Sequence, residues 1–582
     1  MSQQSASLAT SAFEILGPIM VGPSSSHTAG ALRLAQVASS LLEGTITSVR
    51  FTLWNSFAQT YQGHGTDRAL VAGMLGLQTD DEQIRDAFTL AKKRSMNFEF
   101  VVAGENTSLH PNTVDIEMTN TQGLHATVRG ESLGGGKIRI SRINEVEVNI
   151  SGAYCTLFVA HRDAPGALAA LTTLLAEERV NIAFCSTYRT EAGGQAYSVF
   201  ETDEYYSGSS FIEKVKSLDL VDYATFIEVP GSAAPSSSHS ASNPYLFSSA
   251  QELLSLCEAQ SVNIGKIMTE RECYLYGKEA TTHTIRKVIQ VMKEETSDPL
   301  LNPKPSLGGF IGGEAQKINK NTFSLADSLM GTVQTNAVAR AMAVLERSAA
   351  MGVIVAAPTA GSAGVVPGCL LAEAEYLGLD FNENDGCLSK ASSYEDSSRT
   401  ELSNKQSFQE ARLQEESSQK ECPQEEPSEC LQDALFCAAA IGYLLSTNAC
   451  VAGAEGGCQA EVGSAAAMAA GALVQMLGGT PKQCLDAASL CLSNLLGLVC
   501  DPVGGLVEVP CQNRNAIGVS AAFSSAQLAL SGITSLVPFD EMARVMLEVG
   551  HALPATLRET ALGGIATAPS ALHACHHCNT CK

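Results

Sequence analysis

Residues 457–477 read GCQAEVGSAAAMAAGALVQML, and this stretch indicates the fold of the second half of the chain. Small apolar residues follow one another without the polar alternation of a half-exposed strand, which predicts a buried helix packed closely against its neighbours. Similar Ala-, Gly- and Leu-rich stretches recur between residues 248 and 582 and are separated by Gly-rich loops. We therefore predict a mostly α-helical domain over 248–582.

Cys458 lies in this stretch, and Cys500 and Cys511 lie in similar surroundings of glycine, small and polar residues. Three converging thiolates can hold a 4Fe–4S cluster and leave one iron without a protein ligand, and such an iron is a Lewis acid for a hydroxyl leaving group. This pattern favours a dehydratase over an electron carrier. The alternative is three core cysteines, since the chain has 18 cysteines and their spacing matches no compact cluster or zinc motif. The residues alone leave both interpretations open.

The composition limits the class of protein. A chain of 582 residues is expected to form about three or four domains. Its net charge of −24 argues against nucleic acid or an anionic membrane as a partner. There is no Lys or Arg before Arg33, and no uninterrupted apolar run reaches the roughly 18–20 residues that span a bilayer. We expect a cytoplasmic protein with reduced thiols.

The pattern of elements predicts a multidomain α+β protein. Residues 1–150 combine helical stretches with runs rich in Val, Ile and Thr, which predicts an α/β domain. Residues 153–230 follow the order βαββαβ of ferredoxin-like folds. Residues 231–247 are typical of a flexible linker, and the polar, acidic stretch 380–432 is typical of a disordered insertion in the helical domain.

Residues 153–230 also resemble ACT domains, which are small regulatory modules that often bind amino acids at paired interfaces. The resemblance depends on the turn Asp163-Ala-Pro-Gly166 before the first helix and on Asn181-Ile182 at the start of the second strand. It implies an amino-acid effector site that includes Asp163, Gly166 and Asn181.

Five motifs together resemble the iron–sulfur-dependent L-serine dehydratases over essentially the whole chain. The motifs are GPSSSHTAGALRLA at 22–35, GHGTD at 63–67, AAPTAGSAGVVPG at 356–368, GCQAEVGSAAAMAAG at 457–471 and CDPVGGLVEVPCQNRNA at 500–516. The resemblance implies a β-type region, an ACT module and an α-type catalytic region, deamination of L-serine to pyruvate and ammonia without pyridoxal phosphate, and a homodimer. It also implies a 4Fe–4S cluster on Cys458, Cys500 and Cys511.

The resemblance leads to a set of candidate site residues. His64 is the candidate base or proton shuttle, and orienting its loop is the alternative role. The substrate-binding candidates are Ser24, Ser25, Ser26, His27, Thr28, Thr359, Gly361, Ser362, Asn513 and Arg514. A loop at a helix N-terminus suits a carboxylate, although the same residues also make ordinary helix caps and turns.

The C-terminal sequence ALHACHHCNTCK departs from the family pattern, in which some members end in a cysteine that binds the free iron. Cys575, Cys578 and Cys581 are each a candidate fourth ligand, but they also have the spacing of a second metal site. Other hypotheses are a related lyase acting on L-threonine or L-cysteine, an amino-acid-binding regulatory protein without a cluster, and a zinc-binding protein organised by this tail.

Overall fold

The computed structural model describes residues 10–152, 154–189, 191–202, 209–227, 243–320, 328–379, 427–576 and 578. A sheet-rich first part and a helical second part confirm the predicted fold class at this level. Residues 231–242 of the predicted linker lie outside the described residues. Its last residue, Phe247, is buried in the helical core. The predicted insertion lies outside them up to 426, and its final residues from Pro427 form the start of a helix.

A six-stranded sheet dominates the first region. The strands of this region are β1 (Ile19–Val21), β2 (Ile46–Trp54), β3 (Asn97–Gly104), β4 (Thr113–Asn120), β5 (His125–Gly134), β6 (Lys137–Ile143) and β7 (Val146–Ile150). The sheet order is β3-β2-β4-β5-β6-β7. Of its five strand pairings, four are antiparallel, and the pairing of β2 with β3 is parallel.

Helices cover one face of this sheet. Along β2 the buried residues Val49, Phe51 and Leu53 alternate with more exposed neighbours, as a sheet with one packed face requires. The helices of this region are α1 (Ala12–Ile15), α2 (Ala31–Ser40), α3 (Asn55–Thr60), α4 (Thr66–Met74) and α5 (Ala87–Lys93). Residues Ser25–Gly30 form a π-helical turn that leads directly into α2.

Residues 155–227 form a separate four-stranded antiparallel sheet with two helices. The elements are β8 (Cys155–Arg162), α6 (Ala167–Glu177), β9 (Ile182–Arg189), β10 (Gln195–Thr202), α7 (Ser209–Lys216) and β11 (Val221–Ile227), and the sheet order is β11-β8-β10-β9. Leu157, Val159 and Phe200 face the helices, whereas Phe158 and Val199 join the core of the first region. The small sheet is therefore packed on both faces, and this unit has the βαββαβ order that the sequence predicts.

The second region is an assembly of helices. Its elements are α8 (Ala250–Gln260), α9 (Ile264–Tyr276), α10 (Lys278–Leu301), α11 (Glu314–Asn319), α12 (Gly331–Ala349), β12 (Val353–Val355), α13 (Val365–Tyr376), α14 (Pro427–Asn448), α15 (Gly453–Gly456), α16 (Ser464–Met476), α17 (Pro481–Leu495), α18 (Cys511–Leu530), α19 (Phe539–Ala552) and α20 (Pro569–Cys575). Helix α16 lies at the centre and packs against α14, α17 and α18. A Cβ atom at Gly471 of α16 would lie 2.2 Å from Ile441 Cδ1, so this glycine permits the close packing with α14.

One helix of this core also has the length and composition of a membrane span. Residues Glu429–Asn448 of α14 have a mean hydropathy of 1.4. Leu435, Ala439 and Leu444 of this helix are buried, and it packs against α9 and α16. Its apolar character is accounted for by its place in the core.

A strand pairing and a buried hydrogen bond are among the contacts that join the first and second regions. Strand β1 pairs antiparallel with β12, with Met20 opposite Ile354. Ser11, which caps α1, donates a 2.6 Å hydrogen bond to the buried carboxylate of Glu272 in α9. Loops of both regions meet beside these contacts, and the candidate site lies there.

Candidate functional site at the junction of the two regions

A cavity that is lined by six of the predicted site residues is buried between the first and second regions. Its wall includes loops that follow β1 and α3 and the residues around the N-termini of α16 and α18. The lining residues are Pro23, Ser24, His64, Gly361, Cys458, Glu461, Cys500, Pro502, Val507, Cys511 and Glu559. The structure therefore brings together Ser24, His64, Gly361 and the three predicted cysteines.

The three cysteines come from different local structures. Cys458 precedes a π-helical turn that continues into α16, Cys500 lies in the loop after α17, and Cys511 is the first residue of α18. All three are buried, with exposed fractions of 3%, 5% and 8%. Burial, together with Glu461, raises the pKa of Cys458 to about 12, and burial also raises the pKa values of Cys500 and Cys511. Without a metal ion these thiols are therefore neutral at pH 7.

At least one pair of the three cysteine sulfurs lies farther apart than 4.8 Å, because the three do not form a compact group of ligand atoms. Among the described residues, only His27, His64 and Glu559 form a group of three whose ligand atoms all lie within 4.8 Å of one another. Thiolates on a single zinc ion would lie about 3.8 Å apart, given Zn–S bonds of about 2.3 Å in a tetrahedron. The three cysteines converge on one cavity without reaching that distance.

Arg514 supports the cysteine loops from outside the cavity. Its guanidinium donates to the Val499 carbonyl and to Asp501, each at 2.7 Å, and it also bonds the Cys458 side chain. Asp501 in turn accepts a 2.7 Å hydrogen bond from the amide of Ile565. The guanidinium of Arg514 thus binds groups of the protein. Arg514 does not line the cavity, whereas a residue that contacts substrate would have to do so.

The loop Ser24–Thr28 is organised around His27. Ser24 caps the π-helical turn by accepting from the His27 amide at 3.1 Å. His27 Nδ1 lies 3.3 Å and 3.1 Å from the hydroxyls of Ser24 and Ser26, and its Nε2 lies 3.0 Å from the Ser56 hydroxyl. Thr28 donates to the His64 carbonyl at 2.8 Å, while Ser25 is buried. The loop therefore fixes two histidines and leaves Ser24 at the cavity wall.

His64 lies in the turn between α3 and α4 and is wholly buried. Neither of its ring nitrogens has a hydrogen-bond partner among the described residues. Its ring is 4.3 Å from that of His27, in an edge-to-face arrangement. Burial lowers the pKa of His64 to about 3, so the imidazole is neutral at pH 7.

Two buried carboxylates in the cavity were not predicted from the sequence. Glu461 accepts a 2.9 Å hydrogen bond from the Thr359 hydroxyl, and burial raises its pKa to about 7. Glu559 lies 3.7 Å from His27 Nδ1, and burial, with Glu461 nearby, raises its pKa well above the ordinary value. Glu461 lies three residues after Cys458 within the motif at 457–471. An acidic residue so close to a candidate cysteine was the feature of the sequence that could have indicated it. Nothing local in RETALGG at 558–564 indicates that Glu559 reaches this cavity.

The loop Thr359–Ser362 forms the opposite wall. The hydroxyl oxygens of Thr359 and Ser362 lie 3.1 Å apart, and Gly361 lines the cavity. Asn513 was predicted to contact substrate, but it is exposed on the outer side of α18. The helical period instead turns Asn515 inward, where its side chain donates to the carbonyls of Gly361 and Cys511 at 2.8 Å and 2.9 Å.

The remaining predicted residues lie outside the cavity wall. In the small domain, Asp163 accepts from the Gly193 amide and pairs with Arg189, Gly166 has a left-handed φ of 94° at the start of α6, and Asn181 is exposed. Cys575 ends α20, which packs against the turn Val503–Gly505, and Cys578 is buried. Cys581 lies outside the described residues.

Comparisons with known proteins match both regions. The family described as serine dehydratase alpha chain matches residues 259–391 and 413–566, and the family described as serine dehydratase beta chain matches residues 11–142. The cavity takes residues from both matched regions.

Several curated relatives cover these regions separately or together. A probable L-serine dehydratase alpha chain of Bacillus subtilis is 38% identical over 56% of this chain and 93% of its own length. The L-serine dehydratase beta chain of Peptoniphilus asaccharolyticus is 37% identical over 38% of this chain and 98% of its own. The L-serine dehydratase of Streptomyces coelicolor is 28% identical over 96% of this chain and 99% of its own.

Proposed function

The chain belongs to the L-serine dehydratase family, and from this premise we propose that it converts L-serine to pyruvate and ammonia. The observation that carries the proposal is one buried cavity that combines three cysteines, an unpartnered neutral histidine and two carboxylates. In the reaction the Cα–H and Cβ–O bonds break, water leaves, and the resulting enamine tautomerises to an imine that hydrolyses. The activity needs a base at Cα and a way to make hydroxyl a leaving group.

We propose a 4Fe–4S cluster as the cofactor, held by Cys458, Cys500 and Cys511. The donor set supports this, because three buried thiols face one cavity and thiolates are the ligands of iron–sulfur clusters. When bound, the cluster would supply an iron without a cysteine ligand, which is a Lewis acid for the substrate hydroxyl.

We assign the removal of the Cα proton to His64. Its buried, neutral imidazole has no protein partner and faces the cavity, which supports a role as base. We assign the substrate carboxylate to Ser24, which caps the π-helical turn at the cavity wall, and to Gly361 on the opposite wall. Arg514 and Asn515 then act as positioning residues for the cysteine loops.

The first experiment is anaerobic purification, followed by visible absorbance and pyruvate formation from L-serine. We expect the variants C458A, C500A and C511A each to lose the iron–sulfur absorbance and the activity. The matched control is C369A, because Cys369 is equally buried in the helical core but lies outside the cavity. Full absorbance and activity in any of the three ligand variants, at a melting temperature close to that of the control, would contradict this ligand set.

We propose further that residues 155–227 act as an ACT-type regulatory domain in a cytoplasmic homodimer. Its βαββαβ order and the turn formed by Asp163 and Gly166 support an amino-acid effector site that includes Asn181. A test is the response of L-serine turnover to added amino acids in the wild type and in D163A. A response that D163A leaves unchanged would remove Asp163 from the effector site.

We also propose that one cysteine of the C-terminal tail regulates access to the cluster. The packing of α20 against Val503–Gly505, between Cys500 and Cys511, supports this proposal. Unchanged kinetics and spectra in a chain truncated after Gly564 would contradict it.

A further inference from the structure

The loop that carries Glu559 is held directly against a predicted cluster ligand. The amide of Cys500 donates to the Leu557 carbonyl at 2.8 Å, and the amide of Glu559 donates to the Cys500 carbonyl at 2.9 Å. Gly564, at a φ of 61°, packs so closely on Asp501 that a Cβ atom there would lie 2.1 Å from the carboxylate. These contacts fix the carboxylate of Glu559 in the cavity wall.

Glu559 has a backbone conformation that is unfavourable for its residue type. Its φ is 59°, and Ala561 nearby has a φ of 54°, although neither is glycine. Left-handed backbone in such residues has an energetic cost, and it persists where the surrounding structure enforces it, often at functional sites. The conformation therefore indicates that the position of this side chain matters.

Glu559 also lacks a permanent cationic partner. Its carboxylate accepts from the Ala454 amide and lies 3.7 Å from His27 Nδ1, and no Lys or Arg among the described residues forms an ion pair with it. The other cavity carboxylate, Glu461, bonds Thr359 and lies near Arg514. A buried carboxylate without a cation is costly unless a ligand supplies one.

We propose that the Glu559 carboxylate binds the α-ammonium group of the substrate and thereby selects an amino acid over the corresponding hydroxy acid. This inference rests on the proposed function. An ammonium group offers three donors and one positive charge, which match the unbalanced carboxylate. Because a carboxylate oxygen of Glu559 and a ring nitrogen of His64 lie within 4.8 Å of each other, an amine bound at Glu559 places the adjacent Cα next to His64.

A divalent cation on His27, His64 and Glu559 is the competing ligand. Three such side chains can hold a metal ion, and their ligand atoms are close enough. However, both ring nitrogens of His27 already contact serine hydroxyls, Nδ1 those of Ser24 and Ser26 and Nε2 that of Ser56. This arrangement favours the organic cation.

The test compares E559Q, which removes the charge at constant shape, with E559D, which keeps it. E455Q is the matched control, because Glu455 is 54% exposed on α15 and its carboxylate pairs with the exposed His551. We measure KM and kcat for L-serine, the inhibition constant of glycerate, which has a hydroxyl in place of the ammonium group, and the rise in melting temperature that L-serine produces.

We expect E559Q to raise the KM for L-serine by about tenfold or more and to abolish the L-serine-induced rise in melting temperature. Glycerate inhibition should stay within about twofold or become stronger, E559D should lose less affinity than E559Q, and E455Q should match the wild type. Equal losses for L-serine and glycerate, or no loss for either, would overturn the assignment. So would calorimetric binding of one equivalent of Mn²⁺ or Zn²⁺ that E559Q abolishes while L-serine kinetics stay normal. A wild-type protein with an intact cluster and no pyruvate formation would instead reject the proposed function itself.

Discussion

At the scale of single residues, burial determines the chemistry of the candidate site. Burial lowers the pKa of His64 and raises the pKa values of Glu461 and Glu559, so that the neutral form of each side chain is favoured. The same burial disfavours charge on the imidazole and on both carboxylates unless a ligand or a neighbouring group of opposite charge is present. Arg514 compensates part of the local negative charge through Asp501.

We predict that H64N lowers kcat for L-serine by about 100-fold or more, because general base catalysis contributes about 10²–10⁴-fold. The iron–sulfur absorbance should be retained, since His64 is not one of the three proposed ligands. The control is H551N, a histidine that is 55% exposed on α19 and remote from the cavity wall. A normal kcat in H64N, or loss of absorbance in it, would reject the proposed role.

A second prediction concerns Asp67, in the first turn of α4. Burial raises its pKa from 3.8 to about 6 in the folded protein. Because the folded protein holds this proton more tightly than the unfolded chain, the free energy of unfolding falls as the pH rises from the unfolded-state pKa to the folded-state pKa. For Asp67 this range is about pH 4 to 6, and the loss is up to about 3 kcal/mol.

The measurement for Asp67 is the melting temperature of the wild type and D67N between pH 4 and 7. We expect the decline with rising pH to be smaller in D67N, because Asn has no charge to bury. Parallel curves for the two proteins would mean that Asp67 does not titrate in this window. D86N, at a 65% exposed carboxylate, is the control and should follow the wild-type curve.

At the scale of elements, close helix packing holds the cysteine-bearing segments in place. The turn after Cys458 continues directly into α16, and α18 begins at Cys511, so both proposed ligands lie at the N-terminal ends of helices that pack on each other. Cys500 has no helix of its own and is held by its backbone bonds to residues 557–559. Displacing α16 would therefore move the cysteine at its start.

We predict that G471A destabilises the protein by about 1–3 kcal/mol, because the added methyl would lie 2.2 Å from Ile441 Cδ1 and 3.0 Å from the Cys484 carbonyl. The lowered melting temperature should be accompanied by weaker retention of iron. S493A is the control, an exposed helical position on α17 where the change should be nearly neutral. A melting temperature for G471A equal to that of S493A would show that α14 and α16 can move apart freely.

At the scale of the whole molecule, the candidate site exists only where two regions meet. The cysteines, Glu461 and Glu559 come from the helical region, whereas Ser24 and His64 come from the sheet-rich region. The regions are joined through the β1–β12 pairing and the Ser11–Glu272 hydrogen bond. Relatives that carry the matching regions as separate alpha and beta chains are consistent with association through such contacts.

We predict that the chain divided at residue 242 is active only when residues 1–242 and 243–582 are produced together. Neither part alone contains both His64 and the cysteines, so neither should form pyruvate from L-serine. The measurement is pyruvate formation by each part and by the co-purified pair. Activity of residues 243–582 alone would show that the first region contributes no essential group.

The sequence by itself determined the helical character of residues 248–582 and the βαββαβ order, which it predicts over 153–230 and which the structure has over 155–227, because periodicity is a local property. A family resemblance, and not motif spacing, led to the proposal of the three cysteines, His64 and the Ser24–Thr28 loop as site residues. Only the tertiary structure decided that Asn515 and not Asn513 faces inward, that Arg514 is committed to Asp501, and that Glu559 reaches the cavity. Glu559 is 59 residues from Cys500, and only long-range backbone pairing brings the two together, which no local pattern records.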